Sequence, residues 1–273
     1  IQISILQNHL TTEQFLDWGW RVPFWVSLFL LVVAFYARRS IEETPAFLEL
    51  SKKGQTESQL LNNFKDKEIR KRMLLLFLCV SSSGAILFFC VQVYTGIFLK
   101  TSVKLEPALV DKLSILATCA LLPLTIFCGW LSDLYGRKSV VLSGIILGAV
   151  FIYPSFRMLE KLGITYIEIG SPSTLLSIFG ILVFLAILLA LVVGPQTALL
   201  AEFFPAKNRN SAATVPHNLA AGWVGGLLPF IITWLNQTID GNLAGLWYPV
   251  IFLGIAGMIA LRFFPETKSR NLL

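Results

Sequence analysis

The chain has 273 residues, 55% of them hydrophobic and only 14% charged, with 21 phenylalanines, a mean hydropathy of +0.72 and a net charge of +6. A water-soluble domain carries about 25% charged and roughly 45–50% apolar residues, so the apolar excess must face lipid. That excludes a soluble enzyme, a nucleic-acid-binding module and a disordered chain, and it makes the positive charge a matter of membrane orientation rather than a nucleic-acid footprint.

In chain order, the first residue is isoleucine. No basic region with a small-residue cleavage site follows it, so no signal peptide is visible and the sequence reads as starting inside a longer one. Residues 1–20 read as an external segment. Apolar runs bounded by charge or turn residues place spans at about 21–37, 73–99, 112–132, 139–158, 174–200, 211–235 and 246–264. Each is long enough to cross the hydrocarbon as a helix and too continuously apolar for a barrel strand. Pro123, Pro154, Pro195, Pro216, Pro229 and Pro249 predict kinks that neighbouring helices must accommodate. The fold class is therefore an all-α membrane protein.

Orientation follows from Lys and Arg in alternate connections. One side carries sixteen and the other six, so the richer side, with the 38–72 connection and the tail after Phe264, is assigned to the cytoplasm. The segment 38–72 is the only long connection and mixes nine basic with six acidic residues around Phe47, Leu48, Leu60, Leu61 and Phe64. It reads either as a partly helical linker lying on the membrane face or as a merely solvated one. The domains expected are thus a lone helix at 21–37, a linker at 38–72, a six-helix half at 73–264 and a cytoplasmic tail at 265–273.

Cys79, Cys90, Cys119 and Cys128 all fall in apolar runs without a C-x-x-C pair, and they read as packing residues, not a disulfide framework or metal site. Neither a metal nor a cofactor is called for. Gly144 and Gly148, and Gly222 and Gly226, form small-xxx-small pairs that would let helices approach closely.

The most specific stretch is Gly129-Trp-Leu-Ser-Asp133-Leu-Tyr-Gly136-Arg137-Lys138, which joins two spans on the positive side. Gly136 permits a tight turn that holds Asp133 close to Arg137 and Lys138. Taken alone, the same pattern is also what an ordinary positive-inside turn gives. A second stretch, Glu202-Phe-Phe-Pro205-Ala-Lys207-Asn-Arg209, again puts an acid at a helix end with bases after it. Glu43, in Glu-Glu-Thr-Pro after the first span, and Glu266, in Pro-Glu-Thr-Lys after the last, bring further acids to the same face. Ion pairs on one rim that form when the bundle closes and break when it opens would serve as an alternating-access gate.

These motifs, together with Gly-Trp-Arg-Val-Pro-Phe at 19–24 and Arg-Arg-Ser-Ile-Glu-Glu-Thr-Pro-Ala-Phe at 38–47, resemble the major facilitator superfamily. Within it the run from Gly19 to Phe47 is most similar to the metabolite:proton symporters, which include proline/betaine, α-ketoglutarate, citrate and shikimate carriers. The resemblance implies a helical bundle corresponding to helices six to twelve of twelve, with the first five in a missing N-terminal half. It further implies a proton-coupled carrier of a small polar solute in the plasma or inner membrane, not an enzyme, rocking about a central site. By the same similarity Asp133, Arg137 and Lys138 match the cytoplasmic loop motif, and Glu202 and Arg209 the motif after the tenth helix. Their implied role is gating. Tyr94 stands where members carry Thr-Tyr-x-Pro-x-Tyr-Leu, but Gly96 and Phe98 replace the proline and the second tyrosine.

Polar residues stranded in the spans are the candidates for contacting the solute: Gln92, Tyr94, Gln196 and Asn218, with Thr95, Thr118 and His217 beside them. Helix-to-helix hydrogen bonding is the competing reading of each, and His217 reads as a proton carrier or as a packed histidine. Tyr94 lies roughly 200° around a helix from Gln92, so the two line one cavity only if the helix is interrupted, for which Gly96 offers a place. No Asp or Glu lies deep in any span, so if the carrier is proton-driven, as the resemblance implies, its coupling carboxylates belong to the N-terminal half. The scarcity of basic residues at mid-membrane favours a zwitterion such as proline or betaine over a small carboxylate. A sugar porter of the same superfamily, suggested by Pro265-Glu-Thr-Lys268, and a truncated remnant without transport of its own are the alternatives.

Overall fold

The computed structural model describes residues 2–40, 64–205, 209–239, 241 and 243–268. Among them every regular element is helical and there is no strand. Lipid offers no partner for backbone N–H and C=O groups, and helices satisfy them internally. The chain divides into two contiguous units, Ile1–Glu57 and Ser58–Leu273.

In the first unit, α1 (Gln2–His9) and α2 (Thr12–Asp17) precede a 3₁₀ turn at Gly19–Arg21 and α3 (Val22–Ser40). Thr11 and Gln14 form a reciprocal capping box at the start of α2. The Arg21 guanidinium stacks over the Trp20 ring at 4.5 Å.

The second unit holds six long helices: α4 (Lys67–Thr101), α5 (Pro107–Tyr135), α6 (Arg137–Ile169), α7 (Pro172–Phe203), α8 (Arg209–Thr238) and α9 (Ala244–Phe263). With α3 they make seven helices long and apolar enough to span a membrane, and each coincides with one expected from the sequence. Most outrun the hydrocarbon. The 33 residues of α6 measure about 50 Å against a core of about 30 Å, so the polar run from Arg157 to Glu168 continues the helix beyond the apolar stretch.

Of the six prolines only Pro229 stands beside an interruption of its helix. Pro123, Pro154 and Pro195 lie inside α5, α6 and α7, all α-helical throughout. The irregularities are π-helical at Leu76–Ser81 and Phe89–Tyr94 in α4 and at Ala220–Gly225 in α8, four residues after Pro216, and the last is followed by a turn at Gly226–Leu227 from which helix resumes at Leu228 with Pro229 in its first turn. The second of these changes the expectation at Gly96. Thr95–Thr101 is regular α-helix, and the register shift comes in the turn before it, where the Thr95 hydroxyl donates to the Cys90 carbonyl at 3.0 Å.

The core forms where α4 runs against α7, α8 and α9, and where α6 packs between α7 and α9. Its largest fully buried side chains include Phe98, Phe156, Phe203, Ile145 and Leu87. Close approach depends on particular glycines. A Cβ on Gly144 would lie 2.8 Å from the Leu191 Cβ, and one on Gly148 would lie 3.0 Å from Leu87, so this pair works as read from the sequence. Gly222 faces open space, and it is Gly225, against Ala85 and Phe89, that brings α8 onto α4. Three cysteines are buried, while Cys119 is exposed on α5 and packs no core.

Candidate functional site: a charged rim and a polar interior

The rim where α5 meets α6, α7 ends and α9 ends gathers most of the motif residues. Gly136 turns the chain with φ 99°, a left-handed conformation that L side chains resist. Its N–H closes α5 on the Ser132 carbonyl at 3.0 Å. Arg137, first in α6, then folds back over the turn. Its guanidinium pairs with Asp133 at 2.5 Å, donates to the Ser132 hydroxyl at 2.6 Å, and reaches Glu202 at the end of α7 with two bonds of 3.2 and 3.3 Å. Arg137 and Glu202 side chains are 13% and 19% exposed, whereas Asp133 is 57% exposed. The Arg137–Glu202 bond is therefore the one shielded from water, and the Asp133 bond is the weaker contributor despite its shorter distance.

The segment after α9 completes the cluster. The Thr267 hydroxyl, fully buried, donates to the second Glu202 oxygen at 3.0 Å. The Glu266 carboxylate caps α6 by accepting from the backbone N–H groups of Arg137 at 2.9 Å and Lys138 at 3.2 Å, and it also accepts from Thr267 and Lys268. A Cβ at position 136 would sit 2.5 Å from Glu266, a second reason for glycine there. Lys138 donates to the Leu261 carbonyl at 3.2 Å and Lys268 to the Leu134 carbonyl at 2.8 Å, placing two ammonium groups at helix C-termini where the dipole favours them. Beneath the charges lies an apolar floor of Phe203, Phe204 and Phe264, with Phe203 and Phe264 stacked at 4.8 Å.

Two expected gate residues stand elsewhere. Arg209 does not reach Glu202; its Nε donates to the Phe204 carbonyl at 3.5 Å, close to where Arg72 meets the Phe203 carbonyl. Glu43 lies outside the described residues. Conversely, Ser132 and Thr267 enter the cluster although the sequence analysis passed over them. Both sit inside the quoted motifs, and only the fold shows that their hydroxyls, not just the neighbouring charges, face Arg137 and Glu202.

Burial alone would push the Glu266 carboxyl up, but the N–H groups of Lys268, Lys138, Thr267 and Arg137 outweigh it and hold the pKa below the ordinary glutamate value. A pKa depressed in the folded state means stabilisation that is complete above the ordinary glutamate range and lost as pH falls through it and below. Glu266→Gln is therefore expected to flatten the acid side of a thermal-stability profile measured from pH 7 down to the glutamate range, by about 1 kcal/mol, as for loss of a helix cap. Parallel wild-type and variant profiles would refute this role.

In the interior the four solute-contact candidates do not converge. Gln92, half-buried, accepts a 3.0 Å hydrogen bond from Thr118 of α5 on an exposed face. Tyr94 points away from it into a buried aromatic group with Phe98 and Phe156, and its hydroxyl accepts from Asn236 of α8 at 3.0 Å. Asn236 also accepts from the Gly245 N–H, so it ties α4, α8 and the start of α9 together. The sequence analysis missed it, although an asparagine near the end of an apolar span was a signal. The Gln196 carboxamide lies against Gly84, where a Cβ would come within 3.1 Å of it, and its Nε2 has no partner among the described residues. The same holds for the hydroxyls of Ser81, Ser82 and Ser83 and for His217 Nδ1. Asn218 is exposed on α8.

Comparison with known proteins matches residues 53–273 to the sequence profile of the family described as sugar (and other) transporter. The inner membrane metabolite transport protein YhjE of Escherichia coli (strain K12) is 28% identical over 273 residues, covering 96% of this chain and 58% of its own length. A putative proline/betaine transporter of Staphylococcus aureus (strain MSSA476) is 30% identical over 281 residues, covering 100% and 56% respectively. The proline/betaine transporter of Escherichia coli (strain K12) is 26% identical over 277 residues, covering 99% and 53%. The chain thus spans about half the length of the curated relatives it matches.

Proposed function

Because the chain belongs to the sugar (and other) transporter family of the major facilitator superfamily, we propose that it forms the C-terminal lobe, with one further helix, of a proton-coupled secondary transporter for a small polar solute. A zwitterion resembling proline or betaine is favoured, in keeping with the names of two relatives and with the scarcity of Lys and Arg in the middle of the spans. A small carboxylate is the second candidate.

The observation that carries this reading is the Asp133–Arg137–Glu202 cluster locked by Thr267 and Glu266. It joins α5, α6, α7 and the segment after α9 on one rim through contacts that are strong while shielded and lost once the helix ends part. In the proposed cycle this rim is cytoplasmic. The cluster is made when the carrier is closed there and breaks when it opens to release solute. Gln92 with Thr118, Gln196 and Asn218 supply solute contacts from their separate helices, and the Gln196 Nε2, without a partner among the described residues, supports that role. Tyr94 acts one step back, set by Asn236. The coupling carboxylates and the other half of the solute site belong to the N-terminal lobe.

The complete carrier in proteoliposomes is expected to accumulate labelled proline or betaine under an inward proton gradient, with a protonophore abolishing accumulation. No uptake of proline, betaine or α-ketoglutarate would reject the assignment, and gradient-independent uptake would reject proton coupling. Topology is checked separately. Epitopes placed in the 102–106 connection and after Lys268 should be accessible from opposite faces of sealed vesicles, the second from the cytoplasmic face; accessibility of both from one face would overturn the arrangement.

A further inference from the structure

Four buried polar groups without a partner among the described residues gather where α4 packs on α7: the hydroxyls of Ser81, Ser82 and Ser83 and the Gln196 Nε2. Elsewhere in the spans hydroxyls fold back onto a carbonyl of the preceding turn, as at Thr95, Thr125 and Ser143. These three serines do not. A buried donor left without an acceptor is costly, so a cluster of them calls for a ligand.

Gln196 is 7% exposed and lies over Gly84, where a Cβ would stand 3.1 Å from both its oxygen and its nitrogen. It is six residues, about 9 Å, inside Glu202 of the charged rim, and an α7 side chain leans away from that rim, towards the start of its helix. Ser81, 1% exposed, precedes Gly84 by three residues and shares its face of α4, about 4.5 Å nearer the rim. Ser82 and Ser83 stand about 100° and 200° further round the helix. Phe88 follows Gly84 by four residues of regular α-helix, about 6 Å further from the rim on the same face. At 44% exposed, it opens that face to the surface of the lobe.

Between Met73 and Leu99, Ser173 and Ala201, and Asn210 and Thr238, the helices α4, α7 and α8 contain no Asp, Glu, Lys or Arg. A charged solute is therefore met there by neutral groups. The amide nitrogen of Gln196 only donates and the Ser81 hydroxyl can donate, so together they suit an acceptor, and a carboxylate is a strong one. An ammonium finds no carboxylate in these stretches, but it does find the exposed Phe88 ring, whose π-face attracts a cation. From the donors to the ring is about one helical turn, a step that a solute with one carbon between carboxylate and nitrogen can span. A sugar offers that ring no cation.

We propose that Gln196 and Ser81 seat the carboxylate of a zwitterionic solute while Phe88 faces its ammonium. This assignment rests on the chain's being one lobe of a solute carrier.

The test is calorimetric binding to the purified complete carrier of three compounds of one shape. Glycine betaine has both charges; choline keeps the trimethylammonium and replaces the carboxylate by a hydroxymethyl group; 3,3-dimethylbutyrate keeps the carboxylate and replaces nitrogen by carbon. Wild type is expected to bind betaine about tenfold more tightly than choline and about fivefold more tightly than dimethylbutyrate. Gln196→Leu should bring the first ratio to about threefold or less, Ser81 remaining, and Phe88→Leu should bring the second to about one, each leaving the other ratio in place. Without solute, Gln196→Leu should unfold at or above the wild-type temperature, because an apolar side chain of similar size replaces a donor that had no partner. An unchanged first ratio in Gln196→Leu, an unchanged second ratio in Phe88→Leu, or a lower unfolding midpoint in Gln196→Leu, as for an amide that merely packs α7 on α4, would overturn the proposal. Uptake of α-ketoglutarate by a carrier that binds neither betaine nor proline would overturn it too and leave the carrier assignment standing, whereas uptake of none of the three would remove both.

Discussion

Arg137→Ala in the complete carrier is expected to reduce the rate of solute uptake roughly thirtyfold while leaving the amount of protein in the membrane near wild type. The guanidinium answers three groups at once, and its removal strands Glu202, whose side chain is 19% exposed above a floor of three phenylalanines. Breaking a buried pair costs about 3–5 kcal/mol. This rim is partly wet and Asp133 is largely exposed, so about 2 kcal/mol is the appropriate figure, equivalent to the thirtyfold shift away from the closed state. A carrier that must close this rim once per cycle slows accordingly. Glu202→Gln should cost less, because the amide oxygen still accepts from Arg137, and the double variant should cost little more than Arg137→Ala alone. Strict additivity of the two would show that the residues do not act as a pair, and wild-type uptake in both would discard the latch.

Gly194→Ala should lower stability by about 1–3 kcal/mol, the usual cost of forcing an extra methyl group into a packed interior. Where α7 crosses α5, a Cβ on Gly194 would come 2.7 Å from the Thr125 carbonyl oxygen and 3.0 Å from the Gly129 nitrogen. Those are backbone atoms, and they cannot swing aside as a side-chain tip can. The two helices must separate, loosening the α7 end that carries Glu202. Gly180→Ala on the same helix meets nothing within 4 Å, and as an alanine in a helix it should be neutral or stabilising. Thermal unfolding of the purified protein separates the two substitutions. Equal midpoints would mean that the helices part without cost.

The seven spans were legible because lipid imposes a simple demand: about twenty apolar residues and an intact helical backbone. The charged rim was legible in part. Asp133, Arg137 and Lys138 lie within six residues of one another across a glycine turn, so sequence proximity guaranteed their meeting. That Glu202 and Glu266 join them was anticipated from the shared rim. Which base Glu202 would face was not. Arg209 lay nearer in sequence, yet the crossing of α7 with α5 and α6 delivers Glu202 to Arg137 and leaves Arg209 on the Phe204 carbonyl.

Composition and spacing by themselves determined that seven apolar helices form and which helix ends carry the acids and bases, because each depends on local residue order and on the solvent a segment must face. Only the tertiary structure decided which of the many small and polar residues matter. A glycine is useful only where another backbone arrives, as at Gly194 and Gly225 but not Gly222. An interior polar group is paired or stranded according to what a distant helix brings to it, as Asn236 is brought to Tyr94 while the Gln196 amide is left unanswered among the described residues.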